Sequence, residues 1–123
     1  MLCPIVKSEL EMLSEPDEKL SLVVEQHIHF LLPRQQCTLE RVALILDVHP
    51  RTLQRHLAND GVIFEDLLDK IRRLRSMQLL GRPDMTVGRI TQELGYRSIS
   101  SFGRAHQRWF GMPPIEHQRL LRA

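Results

Sequence analysis

The chain has 123 residues, of which 42% are hydrophobic and 26% charged, a composition typical of one soluble domain with a hydrophobic core. No stretch approaches the roughly 18 consecutive apolar residues of a transmembrane helix, and the first residues do not resemble a signal peptide. The two cysteines, Cys3 and Cys37, have neither a metal-ligand spacing nor the pattern of a disulfide framework. These features predict a cytoplasmic protein without a membrane partner.

The net charge of +2 is unevenly distributed. Residues 1–20 carry a net charge of −3, which leaves +5 on the rest of the chain. From residue 97 to the end, five arginines stand against the single acid Glu116. A basic body beside an acidic leader is typical of a protein that binds a polyanion. A solvated, arginine-rich surface would show the same pattern, so charge alone does not separate the two interpretations.

Apolar residues recur at steps of three and four along most of the chain, and this spacing predicts an all-α fold. Pro16-Asp17-Glu18 favours a helix start, and we expect this first helix to run to Pro33. Thr38 is a candidate N-cap for a short second helix. Pro50 then opens a further helix, expected over about residues 51–58.

The second half of the chain repeats this alternation. A longer helix is expected over residues 64–80, and Thr86 is expected to cap a short helix after it. Ser98 should cap a helix that runs to about Phe110, and a last helix follows the prolines at 113–114. The apolar side of the long central helix is expected to consist of Leu67, Leu68, Ile71, Leu74 and Met77.

One unit of short helix, turn and second helix occurs twice. The pattern Thr38-Leu39-x-x-Val42-Ala43-x-x-x-Asp47-Val48 matches Thr86-Val87-x-x-Ile90-Thr91-x-x-x-Gly95-Tyr96 at an offset of 48 residues. After the turn the second copy has one extra residue, so that Leu53 matches Phe102 and Arg55 matches Arg104 at an offset of 49. This repeat predicts two helix-turn-helix units.

Each matched position has a physical role in such a unit. Ala43 and Thr91 are small because the second helix crosses close to the first. Gly95 suits the left-handed turn between the helices, and Asp47 can adopt the same conformation at some strain. Leu53 and Phe102 should hold the second helix from beneath. The outer face of that helix is then free to enter the major groove of DNA.

The residues on the two outer faces have side chains that suit base contacts. Arginine can donate two hydrogen bonds to guanine, glutamine can pair with adenine, and an isoleucine can contact a thymine methyl group. Ser98, with the amides that follow it, could instead hold a phosphate. The candidate DNA-binding residues, with neighbours on the same helices included, are Arg51, Thr52, Gln54, Arg55, Ser98, Ile99, Ser100, Gly103, Arg104 and Arg108.

Other function classes have little support. The six histidines do not indicate a metal site, because His27 and His29 point to different faces of a helix and no other ligand spacing occurs. No phosphate-binding glycine loop or nucleophile motif is present, so we expect no cofactor and no enzymatic activity. A helical module that binds protein is the alternative. Arg72, Arg73 and Arg75 on the central helix either contact the DNA backbone or face water.

Three segments carry a family resemblance. Pro50–Leu57, together with the stretch from Gly95 to Ala105 and from Arg108 to Pro114, resembles the DNA-binding domain of the AraC/XylS family of bacterial transcriptional regulators. The likeness extends over about residues 20–121. His106 departs from the family, which usually has phenylalanine there, and we expect this histidine to be partly buried and hydrogen-bonded or stacked.

The resemblance implies a fold and a set of partners. It implies seven or so helices in two homeodomain-like units, at about 38–60 and 86–110, joined by the central helix 64–80. The recognition helices would enter successive major-groove segments of promoter DNA, about 34 Å apart. Residues 20–123 would form the DNA-binding domain and residues 1–19 a leader or interdomain linker. The effector or dimerisation domain is expected to lie outside this chain, which would be monomeric and would contact RNA polymerase.

Overall fold

The computed structural model describes residues 19–122, and every regular element in that range is helical. The predicted helix start at residues 16–18 and the acidic leader lie outside the described residues. Between residues 19 and 122, no helix combines the length and hydropathy that crossing a membrane would require. The α-helices within this range are α1 (Lys19–Leu31), α2 (Leu39–Ile45), α3 (Pro50–Asn59), α4 (Phe64–Leu80), α5 (Val87–Glu93), α6 (Ile99–Phe110) and α7 (Pro114–Arg122).

The predicted all-α class with two helix-turn-helix units is confirmed. Helices α2 and α3 form the first unit, helices α5 and α6 form the second, and α4 connects them. A short 3₁₀ helix, Leu32–Arg34, follows α1 and includes the proline that was expected to end that helix. The two halves are therefore built from the same sequence of elements.

The starts of the short helices and of α6 are set by hydroxyl side chains. Thr38, Thr86 and Ser98 each accept a hydrogen bond from the backbone amide three residues later, at 3.0–3.1 Å. Such a cap contributes about 1 kcal/mol. Helix α3 starts differently, because Pro50 occupies its first position and His49 Nδ1 accepts from the amide of Arg51 at 3.1 Å.

The two interhelical turns have the same backbone conformation. Asp47 has φ +59° and Gly95 has φ +77°, so that both occupy the predicted left-handed region. In the first turn the amide of Val48 donates to the carbonyl oxygen of Ala43 at 3.0 Å, and in the second the amide of Tyr96 donates to that of Thr91 at 3.1 Å. The sequence repeat is thus also a repeat of hydrogen bonding.

Each unit has its own hydrophobic core, and α4 contributes to both. Phe64 and Ile71 belong to the first core, whereas Leu79 and Leu80 belong to the second. The predicted apolar side of α4 was wrong at Leu74 and Met77, which are 50% and 38% exposed. The physical reason is that the buried face moves by roughly a third of a turn around the helix as α4 passes from one core to the other.

The units also meet at a close backbone contact. A Cβ atom added to Gly95, in the turn of the second unit, would lie 2.8 Å from the carbonyl oxygen of Leu32. Leu32 is buried in the first core, directly after α1. Gly95 therefore has two reasons to be glycine, namely its positive φ and the approach of another backbone.

His106 is buried with 0% exposure and has hydrogen bonds at both ring nitrogens. Its Nδ1 lies 2.7 Å from the carbonyl oxygen of Met112, which can only accept, so Nδ1 carries the proton. In the neutral ring, Nε2 then accepts from Nδ1–H of His117 at 2.9 Å. Phe110 packs against both rings, with centroids 4.8 Å away. The predicted hydrogen bonding and stacking are confirmed, and the burial is complete rather than partial.

Substitution of Gly95 by alanine should destabilise the fold more than the same change at Gly111. Both glycines have positive φ, but a Cβ at Gly111 meets nothing within 4 Å. The strain alone should cost about 1–2 kcal/mol in Gly111→Ala, and the clash with Leu32 adds to this in Gly95→Ala. The free energy of unfolding in urea measures both. Equal losses would show that the contact with Leu32 imposes no constraint.

Substitution of His106 by phenylalanine should make the stability less sensitive to acid. Burial lowers the pKa of His106, an effect that the hydrogen bond to Met112 opposes and His117 reinforces. The unfolded chain therefore takes up this proton first as the pH falls below about 6.5, and the fold loses stability below that value but not above it. We expect the loss in unfolding free energy between about pH 7.5 and about pH 5 to be smaller in His106→Phe. An unchanged difference between the two pH values would assign the acid sensitivity to other groups.

Candidate nucleic-acid interface

Helix α3 presents the first set of predicted residues. Arg51, Gln54 and Arg55 are exposed and Thr52 is half-buried, while Leu53 on the opposite face lies in the first core. The side chains of the two arginines and the glutamine have no hydrogen-bond or ion-pair partner among residues 19–122. Their donors therefore face solvent and are available to an external acceptor.

Helix α6 presents the second set. Ile99, Ser100 and Arg104 are exposed, and Ile99 has 57% of its surface accessible. Gly103 is half-buried, and a Cβ added to it would meet nothing within 4 Å, so the surface there is flat and open. Arg104 makes one long hydrogen bond, of 3.5 Å, to Ser101 Oγ. This face is less polar than that of α3.

Neither recognition helix contains an acidic residue, whereas both contain arginines. The positive end of the helix dipole adds to this charge at each N-terminus. An anion that approaches either N-terminal turn therefore meets no repulsion from that helix.

A groove with a volume of about 620 Å³ separates α5 from the start of α6. Arg89, Arg97 and Ser98 contribute to its lining. Arg97 is exposed and has no side-chain partner in the described part of the chain, whereas Arg89 makes a loose surface pair with Glu93 at 3.8 Å. Two arginines that the candidate set did not include thus lie beside the start of the second recognition helix.

Arg108 differs from the other predicted residues because it has a partner in the protein. Its Nη2 and Nη1 donate to the two carboxylate oxygens of Asp69 on α4, at 2.9 and 3.2 Å. Trp109 Nε1 donates to the same carboxylate at 3.0 Å. The hydrogen bonds from Arg108 lower the pKa of Asp69, although burial opposes them. The structure therefore ties Arg108 to the central helix.

Arg72 on the central helix is half-buried and bonds to protein groups, a role that neither sequence-based alternative included. Its Nε donates to the carbonyl oxygen of Leu94 at 2.8 Å, and Nη2 donates to that of Gly95 at 3.4 Å. The guanidinium carbon lies 4.3 Å from the ring centroid of Tyr96. Arg72 thus holds the end of α5 against α4.

The other two arginines of α4 have different surroundings. Arg75 lies 3.2 Å from His29 Nδ1 and 3.7 Å from Glu93, so it too contacts protein groups. Arg73 is exposed and its side chain has no partner among residues 19–122. Of these three arginines, only Arg73 is still a candidate for either contact with the DNA backbone or simple exposure to water.

Sequence reasoning missed Asp69, Arg89 and Arg97, and it did not predict the protein contacts of Arg72. Arg97 directly precedes the N-cap Ser98. Its position in the sequence could have indicated a role in anion binding, because it lies beside a helix N-terminus. Asp69 and Arg72 share a face of α4, being three residues apart. Their partners are 22–40 residues away in sequence, however, and no local pattern indicates them.

Among the described residues, no group of three or more His, Cys, Asp or Glu side chains is arranged to hold a metal ion. Burial raises the pKa of Cys37 to about 11, and the thiol is therefore protonated at neutral pH. A protonated, half-buried thiol is neither a good metal ligand nor a nucleophile.

Comparison with known proteins agrees with this geometry. Residues 42–120 match the model of a family described as a helix-turn-helix domain. The HTH-type transcriptional regulator VirS of Mycobacterium tuberculosis is 42% identical over 88 residues, which are 72% of this chain and 26% of that protein. The chain therefore spans about a quarter of the length of this curated relative.

Two solved structures share the fold. A DNA-binding transcriptional dual regulator from Escherichia coli K-12 is 27% identical, with a TM-score of 0.71 over 81% of this chain and 95% of that one. The C-terminal domain of AraT, a response regulator from Geobacillus stearothermophilus, is 28% identical, with a TM-score of 0.74 over 87% and 88% of the two chains. With the match to the family model, these likenesses confirm the predicted resemblance, and the chain belongs to the AraC-type helix-turn-helix domain family.

Proposed function

We propose that this domain binds duplex DNA at specific sequences and thereby regulates transcription in a bacterium. The observation that carries the proposal is the pair of recognition helices with exposed, acid-free outer faces and buried inner faces. The relatives that match the chain are named as transcriptional regulators, and the E. coli protein of the same fold is described as DNA-binding. Both units are joined by one central helix, and we propose that they occupy two major-groove segments together.

On this proposal α3 supplies most of the base contacts. Arg51 and Arg55 are suited to guanine and Gln54 to adenine, and all three are exposed without protein partners among the described residues. On α6, Arg104 is the main polar contact and Ile99 contacts a thymine methyl group. Ser100 and Gly103 complete that face: the serine can hydrogen-bond to a base edge, and the glycine allows the helix to approach the bases closely.

Contacts to phosphates set the register of the domain on DNA. Arg97 and Arg89, at the groove beside the start of α6, are suited to one phosphate together with the N-terminal amides of the helix. Ser98 already caps that helix and can share the same phosphate. We propose an equivalent contact in the first unit for Thr52, which is half-buried at the start of α3. We assign Arg108 to the protein rather than to DNA because Asp69 holds two of its donors.

Three further proposals, on location, oligomeric state and protein partner, rest on membership of the family. We propose that the domain acts in the cytoplasm, that it is monomeric in isolation, and that it contacts RNA polymerase beside its DNA site. Residues 20–123 are proposed as the DNA-binding domain, with residues 1–19 as a leader or linker.

Binding to duplex DNA should weaken steeply as salt is added. Each phosphate contact releases counterions, so the logarithm of the association constant should fall by about 0.9 per contact for each unit of log salt. Fluorescence anisotropy with a labelled duplex, obtained by selection from a random pool, would measure the slope. Absence of binding at low salt would refute the proposal and favour the alternative of a protein-binding module.

Substitution of Arg55 by alanine should cost about 1–3 kcal/mol of binding free energy on the selected site and relax one base position. The reason is the loss of a bidentate contact to a base, since Arg55 lies on the exposed face of α3. Selection of preferred sites for parent and variant would identify the position.

Arg119→Ala is the matched control for this variant. Arg119 is an exposed arginine of α7, outside both helix-turn-helix units. Arg119→Ala removes the same charge as Arg55→Ala, and we expect its base preference to remain that of the parent protein. If Arg55→Ala also retained the parent's preference, the assignment of α3 as the main base-contacting helix would be wrong.

A further inference from the structure

The face of α4 that carries Asp69 and Arg72 holds both helices of the second unit. The carboxylate of Asp69 accepts three hydrogen bonds of 2.9–3.2 Å from the last turn of α6, two from Arg108 and one from Trp109. One turn further along α4, Arg72 donates to carbonyl oxygens at the end of α5. A helix end leaves such carbonyls without intrahelical partners, so Arg72 satisfies groups that otherwise need water.

The same part of α4 also packs on the first unit. Ile71, which lies between the two polar residues in sequence, belongs to the first core with Leu53 and Leu57 of α3. About one turn of α4 therefore links α6 to the hydrophobic core on which α3 packs. The contact with the first core is apolar and tolerates small rotations, whereas the contact with α6 consists of directional hydrogen bonds.

The energetics favour a role in orientation over one in stability. The side chains of Asp69 and Arg108 are 37% and 60% exposed. An exposed ion pair typically contributes only about 0–1 kcal/mol to folding. A bidentate pair nevertheless restricts geometry, because both carboxylate oxygens and both guanidinium nitrogens must align.

We propose that Asp69 and Arg72 are positioning residues that set the orientation of α6 relative to α3, and with it the spacing between the two DNA subsites. The proposal rests on the function proposed above. When two helices must bind one duplex together, an error in their relative orientation removes the gain from joint binding and leaves each single contact intact. Discrimination between spacings is therefore the property that these residues control.

The first test uses no DNA. Spin labels at Ala58 and Gln107, both exposed and on α3 and α6, would report the distance between the recognition helices in a chain with Cys3→Ser and Cys37→Ser. We expect Asp69→Ala to broaden or shift the distance distribution. Asp66→Ala is the matched control, since Asp66 is an exposed acid on α4 without a side-chain partner among residues 19–122. An unchanged distribution in Asp69→Ala would overturn the proposal whether or not the domain binds DNA.

The second test uses three kinds of duplex: the selected two-subsite duplex, the same duplex with one base pair inserted or removed between the subsites, and one with the second subsite scrambled. Asp69→Ala should bind the selected duplex roughly tenfold more weakly and should discriminate less between spacings. Its affinity for the scrambled duplex should equal that of the parent, and Asp66→Ala should behave as the parent throughout.

Further variants separate positioning from folding. Asp69→Asn keeps one acceptor oxygen and should restore part of the spacing discrimination, and Arg72→Lys keeps the charge but loses the paired donors. Urea unfolding shows which variants remain folded, and duplex affinities are compared only among those variants. If the folded variants lost affinity equally for all duplexes, or kept the parent's spacing preference, Asp69 and Arg72 would not be positioning residues. If the parent bound no duplex, the proposed function would fail instead, and the distance measurement would still decide the proposal.

Discussion

Helix α4 is shared between two hydrophobic cores, and the rest of the architecture depends on this constraint. Its first half buries Phe64 and Ile71 with the first unit, and its end buries Leu79 and Leu80 with the second. A helix that must serve two cores cannot keep one apolar stripe. Its buried face moves around the axis, which exposes Leu74 and leaves room for polar contacts at the crossing.

Polar side chains of α4 make contacts within the protein, whereas Arg51 and Arg55 of recognition helix α3 face outward. Arg72, Arg75 and Arg108 have partners within the protein, but Arg51 and Arg55 have none among the described residues. The inner set organises the helices, and the outer set remains hydrated until an anionic ligand replaces the water. This division explains how a domain with a net charge of only +2 can still present basic faces.

The pair of His106 and His117 shows how a polar group can take the place of an apolar one in a core. A buried imidazole is acceptable only if its nitrogens have partners, and here the carbonyl of Met112 and the ring of His117 supply them. The arrangement links α6, the loop after it and α7. It holds the second half of the recognition helix by hydrogen bonds, while Phe102 holds the first half by apolar packing.

The helices, the hydroxyl caps of three of them, the two left-handed turns and the exposed faces of α3 and α6 could all be predicted from the amino-acid sequence. These features depend on interactions within a few residues: the hydroxyl of Thr86 meets an amide in the next turn, and periodicity places Arg55 opposite Leu53. The partners of Asp69, Arg72 and Arg108, the exposure of Leu74 and the close contact of Gly95 with Leu32 could not be predicted in this way. Each of these depends on how one helix lies across another. Residues distant in the chain come together there, and no local pattern specifies which side chains will meet.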